Sequence, residues 1–145
     1  MSSLVSLDII LTSKDNYFSE DIIKTLVSSG WNPLKNNKVT YLPIGDNDMY
    51  NWTSNEITIS ELFQIIKTKE KEKEIIGLEL YYLDSEIGCN LLMFNPKKFT
   101  LMISINKKYI NKDFGIIDFN WYAEKIIPHL YKKFNILEYK FEFRS

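Results

Sequence analysis

Residues 75–105, IIGLELYYLDSEIGCNLLMFNPKKFTLMISI, decide the fold. The run 75–83 reads as a strand with Leu78, Leu80 and Tyr82 on one face. Asp84-Ser85-Glu86-Ile87-Gly88 has the length and chemistry of a hairpin loop. Residues 89–94 form the returning strand, and Asn95-Pro96-Lys97-Lys98 is a second tight turn. Residues 99–105 then set Phe99, Leu101, Ile103 and Ile105 against Thr100, Met102 and Ser104, which is the period of a half-buried strand. Three strands joined by two short turns make an antiparallel meander.

Working outward toward the N-terminus, residues 4–11 read as a first strand and Lys14-Asp15-Asn16 as a turn. Phe18, Ile22, Ile23, Leu26 and Val27 form one helical stripe. Ser19 is its expected N-cap, Glu20 and Asp21 suit the positive end of the helix dipole, and Gly30 is the stop. Residues 39–44 read as a short strand ended near Pro43 and Gly45. A polar loop, 46–55, carries Met49, Tyr50 and Trp52.

The next helix has the clearest start. Thr58 and Glu61 form a capping box, with Ile57 and Leu62 at the staple positions. Leu62, Ile65 and Ile66 supply its buried stripe, and the alternating Lys and Glu of 67–74 read as a solvated final turn fraying into a loop. Beyond the meander, Asp118 caps a helix over about 119–134, with Tyr122, Ile126 and Leu130 stacked at i+4. Pro128 removes a backbone bond there, so a kink or restart is expected. Leu137, Tyr139, Phe141 and Phe143 then alternate with Glu138, Lys140 and Glu142 as a last, half-buried strand. The order β-α-β-α-β-β-β-α-β predicts an α+β single domain spanning 1–145. It has a mostly antiparallel sheet of about six strands and three helices on one face.

Composition narrows the function classes. The 145 residues are 45% hydrophobic, 14% aromatic and 26% charged, enough to bury a core without a disulfide or metal staple. Cys89 is the sole cysteine, which excludes a disulfide-rich scaffold. No apolar run approaches a membrane span, and no basic leader precedes the first strand, so neither membrane insertion nor a cleaved signal is expected. The five glycines are scattered at turns, without a phosphate-binding loop. His129 and Cys89 supply neither a zinc pattern nor a nucleophile–base signature. Asp46, Asp48, Asp84 and Glu86 lie in turns, where carboxylates ordinarily serve local hydrogen bonding and solvation. No catalytic residue, metal or cofactor is expected.

The formal charge of −1 hides an imbalance. Residues 1–96 hold 8 Lys against 14 Asp and Glu, while residues 97–145 hold 9 Lys and Arg144 against 5 acids. The span 39–66 has no Lys or Arg, yet contains Asp46, Asp48, Glu56 and Glu61 beside Tyr41, Met49, Tyr50 and Trp52. Aromatic and Met side chains give contact area at interfaces, and carboxylates steer a basic partner. Asp46, Asp48, Met49, Tyr50, Trp52 and Glu56 are therefore the candidate partner surface, although Trp52 alone fits a core anchor as well. Asp84 and Glu86 at the hairpin tip are a second candidate contact. The opposite pole, Lys97, Lys98, Lys107, Lys108, Lys112, Lys132 and Lys133, reads as solvated lysines. With Arg144 the single arginine, nucleic acid is not the expected partner.

Gly77-Leu78-Glu79-Leu80-Tyr81-Tyr82 and Trp121-Tyr122-Ala123-Glu124-Lys125-Ile126-Ile127-Pro128 carry a resemblance of type. Across its length the chain resembles the small immunity proteins of bacterial polymorphic-toxin and contact-dependent-inhibition systems. That resemblance implies a cytoplasmic, non-catalytic protein that binds one cognate toxin domain, in many systems a nuclease, and blocks it. Two other classes remain open at this point: a small enzyme or ligand-binding domain with a pocket near His129 and Cys89, and a self-associating structural subunit paired through its last strand; monomer and homodimer both remain open.

Overall fold

The computed structural model describes residues 4–12 and 16–145. Its elements are β1 (Leu4–Leu11), α1 (Ser19–Ser28), β2 (Trp31–Asn32), β3 (Leu34–Lys35), β4 (Lys38–Tyr41), β5 (Thr53–Asn55), α2 (Ile59–Lys71) and β6 (Ile76–Tyr82). They continue with β7 (Gly88–Asn95), β8 (Lys98–Ile105), β9 (Tyr109–Asn111), β10 (Ile116–Ile117), α3 (Phe119–Tyr131) and β11 (Ile136–Arg144). The class is α+β, with three helices and an antiparallel sheet.

The sheet has nine strands rather than about six. Its path is β11-β1-β8-β7-β6-β4-β3, with β2 also on β6 and β5 also on β4. The extra strands β2, β3 and β5 are two or three residues long, too short to display a period. β9 and β10 form a separate two-stranded ribbon. The expected meander β6-β7-β8 is present and lies at the centre of the sheet, and Asn95 Oδ1 closes its second turn by accepting the Lys97 N–H at 2.9 Å.

Register explains the layering. One row across the sheet runs Phe141, Leu7, Leu101, Leu91, Leu78, Tyr41. From Leu7 to Tyr41 all are buried, and they share a core with Ile22, Ile23 and Leu26 of α1, Leu62 and Ile66 of α2, and Tyr122, Ile126 and Leu130 of α3. The neighbouring row, Lys140, Asp8, Thr100, Leu92, Gly77, points to the opposite face and is mixed in polarity. That face carries polar links such as Thr100 Oγ1 donating to Asp8 at 2.6 Å.

The helix starts obey local chemistry. Thr58 Oγ1 accepts the Glu61 N–H at 3.0 Å, as the capping box requires. Asp118 caps α3 by accepting the Trp121 N–H at 3.0 Å. Each such cap is worth about 1 kcal/mol. At α1 the N-cap is Phe18, not Ser19: the Asp21 carboxylate accepts the Phe18 N–H at 2.9 Å. Ser19 is buried, with its N–H donated to Glu70 of α2 at 2.8 Å. α3 passes through Pro128 and ends at Tyr131, short of the expected 134. Lys14 and Asp15, from the turn expected after β1, lie outside the described residues. Trp31 is buried and ties β2 to α3, its indole N–H donating to Lys125 O at 3.1 Å.

Candidate functional site

The strand expected over 39–44 stops at Tyr41, because the chain turns there into a braced loop over residues 43–52. Leu42 N–H still bonds Gly77 O at 3.1 Å, and the Asp46 N–H bonds Pro43 O at 3.1 Å to close the first turn. The Asp46 carboxylate then organises the backbone of residues 49–51. Its Oδ1 accepts the N–H groups of Met49 at 3.0 Å and Tyr50 at 3.1 Å, and its Oδ2 accepts that of Asn51 at 2.7 Å. This holds Tyr50 in the left-handed region at φ 54°, an uncommon place for a bulky residue.

A second brace comes from below. Lys69, expected in a solvated turn, is instead 1% exposed. Its ammonium donates to Pro43 O at 2.8 Å, Asp46 O at 2.7 Å and Glu74 Oε1 at 3.2 Å. All three protons thus have acceptors and one acceptor is charged, which is what makes burial of an ammonium tolerable. The Glu74 carboxylate also accepts the Gly45 N–H at 2.9 and 3.1 Å. That backbone bond, together with the Lys69 contact, holds the Glu74 carboxyl below the ordinary glutamate value against the opposing effect of burial. Asn47 Oδ1 accepts the Ile75 N–H at 2.8 Å and ties the loop to the start of β6.

Gly77 completes the seat. A Cβ built there would lie 2.5 Å from Leu42 Cγ and 2.9 Å from the Trp52 ring. The missing side chain lets Leu42 and Trp52 pack onto the outer face of β6. Trp52 is half-buried, in keeping with an anchor.

The eight residues expected to face a partner are therefore not equivalent. Met49 is 71% exposed and Tyr50 44%, with Asp48 exposed beside them. Asp46 is buried, and its carboxylate is occupied by the loop's own backbone. It shapes the surface instead of presenting charge. Glu56 is exposed just beyond β5, past Asn55 and at the far end of that strand from Trp52. Asp84 and Glu86 sit at the opposite end of β6 from the loop, about 20 Å away for a strand of this length. The fold does not join them to it, and Glu86 is engaged by Lys35 at 2.8 Å. Ile44, in the same loop, is also exposed, at 52%, and was missed because it fitted the strand pattern. Lys69 was missed because of its Lys/Glu neighbours. Its signal was spacing, since it continues the stripe Leu62, Ile66 at i+4 and i+3.

Compared with known family models, characterised proteins and solved structures, the chain matches none.

The remaining candidates lie away from the loop. Cys89 is sealed in β7, and burial pushes its thiol far above the ordinary value, so it is an inert packing thiol. His129 is half-buried near the end of α3. Burial likewise raises the phenol of Tyr122 to about 12, while its oxygen accepts the Lys108 N–H at 2.9 Å. Among the described residues, no three His, Cys, Asp or Glu side chains gather closely enough to hold a metal. No helix among them is long and apolar enough to cross a membrane. The lysine pole is split, because Lys98 and Lys107 lie at opposite ends of β8.

Proposed function

We propose that this chain is a non-catalytic protein-binding module, a bacterial immunity protein that neutralises a cognate toxin domain in the cytoplasm. Its contact surface is the loop 43–52, with Ile44, Met49 and Tyr50 as apolar contacts and Asp48 as the steering charge. One observation carries the reading: the loop exposes large apolar side chains while its backbone is held by Asp46, Lys69 and Glu74. Ordering a loop in advance removes an entropy cost from binding, and a few large side chains in such a setting dominate affinity. Exposed apolar groups on a braced loop serve no packing purpose of the chain itself. Where the partner is a nuclease with a basic cleft, Asp48 and Glu56 would accelerate encounter.

The test is titration calorimetry against the toxin domain encoded beside this chain, with toxin activity measured in parallel. A tight complex that abolishes activity is the expected result. Absence of a complex at micromolar concentration would overturn the reading. Charge reversal at Asp48 and Glu56 should slow association and flatten its salt dependence. Asp46 does not belong in that experiment, since its reversal would dismantle the loop.

A further inference from the structure

The far end of the sheet carries a different surface. β11 pairs with β1 on one side only, so its other edge presents unpaired backbone N–H and C=O groups over a nine-residue strand. Its helix-side residues Tyr139 and Phe143 are large and open, each 48% exposed, and Leu137, at a register shift near the start of the strand, is 68% exposed. Natural edge strands are usually short, bulged, charged or covered; β11 is long, its register shift lies only at its start near Leu137, its charges alternate in sign, and among the described residues no strand pairs with its outer edge.

We infer that the free edge of β11 is the pairing surface for a second copy of this chain, joined antiparallel about a two-fold axis at Phe141. The charge sequence selects that register. Glu138, Lys140, Glu142 and Arg144 alternate in sign along one face. Residues directly opposed across an antiparallel pair share a face, and a two-fold axis makes every pair occur twice. With the axis at Phe141, Lys140 faces Glu142, Glu138 faces Arg144, and Tyr139 faces Phe143. All opposed charges are then opposite in sign, and the exposed rings cover one another. Moving the axis to Lys140 sets Lys140 against Lys140 and Glu138 against Glu142. Moving it to Glu142 sets Glu142 against itself and Lys140 against Arg144. An axis at Tyr139 keeps one opposite-charge pairing but places Glu142 against Ile136 and leaves Phe143 uncovered.

In the free chain Glu142 is held by Lys140 at 3.0 Å and by Arg144 at 3.7 Å within its own strand. On pairing, the same groups meet partners across the axis. β11 and β4 are five strand spacings apart, about 24 Å, so the loop 43–52 stays open in such a dimer. This inference stands independently of the toxin-binding reading.

Sedimentation velocity over a concentration series decides it. The expected result is a concentration-dependent species of twice 17.2 kDa. Lys140→Glu and Glu142→Lys should each raise the dissociation constant about tenfold, because each sets like charges opposed at two places. The double exchange K140E/E142K restores opposite signs and should recover most of the association. Far-UV circular dichroism of each variant separates lost pairing from lost folding, and the two single variants approach the same encounter from either side. A constant mass of 17.2 kDa up to high micromolar concentration would overturn the proposal. So would a dimer indifferent to both single reversals, or one that the double exchange fails to restore.

Discussion

The sheet ends in opposite ways at its two sides. On the β4–β5 side the chain leaves the ladder, and side chains replace it: Asp46 takes three loop N–H groups, and Lys69 fills two loop carbonyls. On the β11 side the strand is regular from Glu138 to Arg144, after a register shift at Leu137, and among the described residues its outer backbone edge has no ladder. The first end is ordered internally and displays apolar side chains. The second displays backbone as well, and its alternating charges complement a copy of themselves. Shape fixed by buried polar groups suits recognition of a different molecule, while an open ladder suits addition of a strand.

Removing the ammonium beneath the loop should break this contrast most severely. Lys69→Met leaves Pro43 O and Asp46 O without their donor and Glu74 without its cation. Loss of one partner of a buried ion pair costs about 3–5 kcal/mol, to be read as a lower urea midpoint at unchanged slope. Hydrogen exchange should rise more over residues 43–52 than in β11.

Gly77→Ala should come next. Its Cβ meets Leu42 and Trp52 well inside contact distance. Overpacking of this kind costs about 1–3 kcal/mol and should alter the Trp52 environment. Near-ultraviolet circular dichroism, with a W52F control, isolates that signal.

Acid should sharpen the contrast more gently. The folded Glu74 pKa is depressed, so its contribution is present above the ordinary value of 4.5 and is lost as pH falls through the lower folded value. The expected outcome is loop exchange that accelerates in that acid window. Glu74→Gln should flatten this dependence. The smallest effect belongs to the bare edge: Phe143→Ser should lower monomer stability by only about 1 kcal/mol, since the ring is 48% exposed.

Length and period decide which elements are legible in the sequence. The meander, the Thr58–Glu61 box and the Asp118 cap depend on neighbouring residues, and each appears where the local pattern placed it. Of the short strands, β2 and β5 depend on partners outside their local sequence, while β3 pairs with β4 across the two-residue Asn36-Asn37 turn, and all three are too short to show a period. At the candidate site Met49, Tyr50 and Asp48 were legible as a patch. Composition could not distinguish Asp46, which is spent on backbone, from Asp48, which faces solvent. Nor could it foresee that β6 separates Asp84 and Glu86 from the loop.

The most direct measurement compares two double variants in one binding assay against the proposed toxin partner: Met49→Ala with Tyr50→Ala, and Asp84→Asn with Glu86→Gln. Loss of two central apolar contacts should weaken binding at least about tenfold, while the hairpin variant binds as the parent does. An affinity untouched by the loop variant and lost in the hairpin variant would contradict the account.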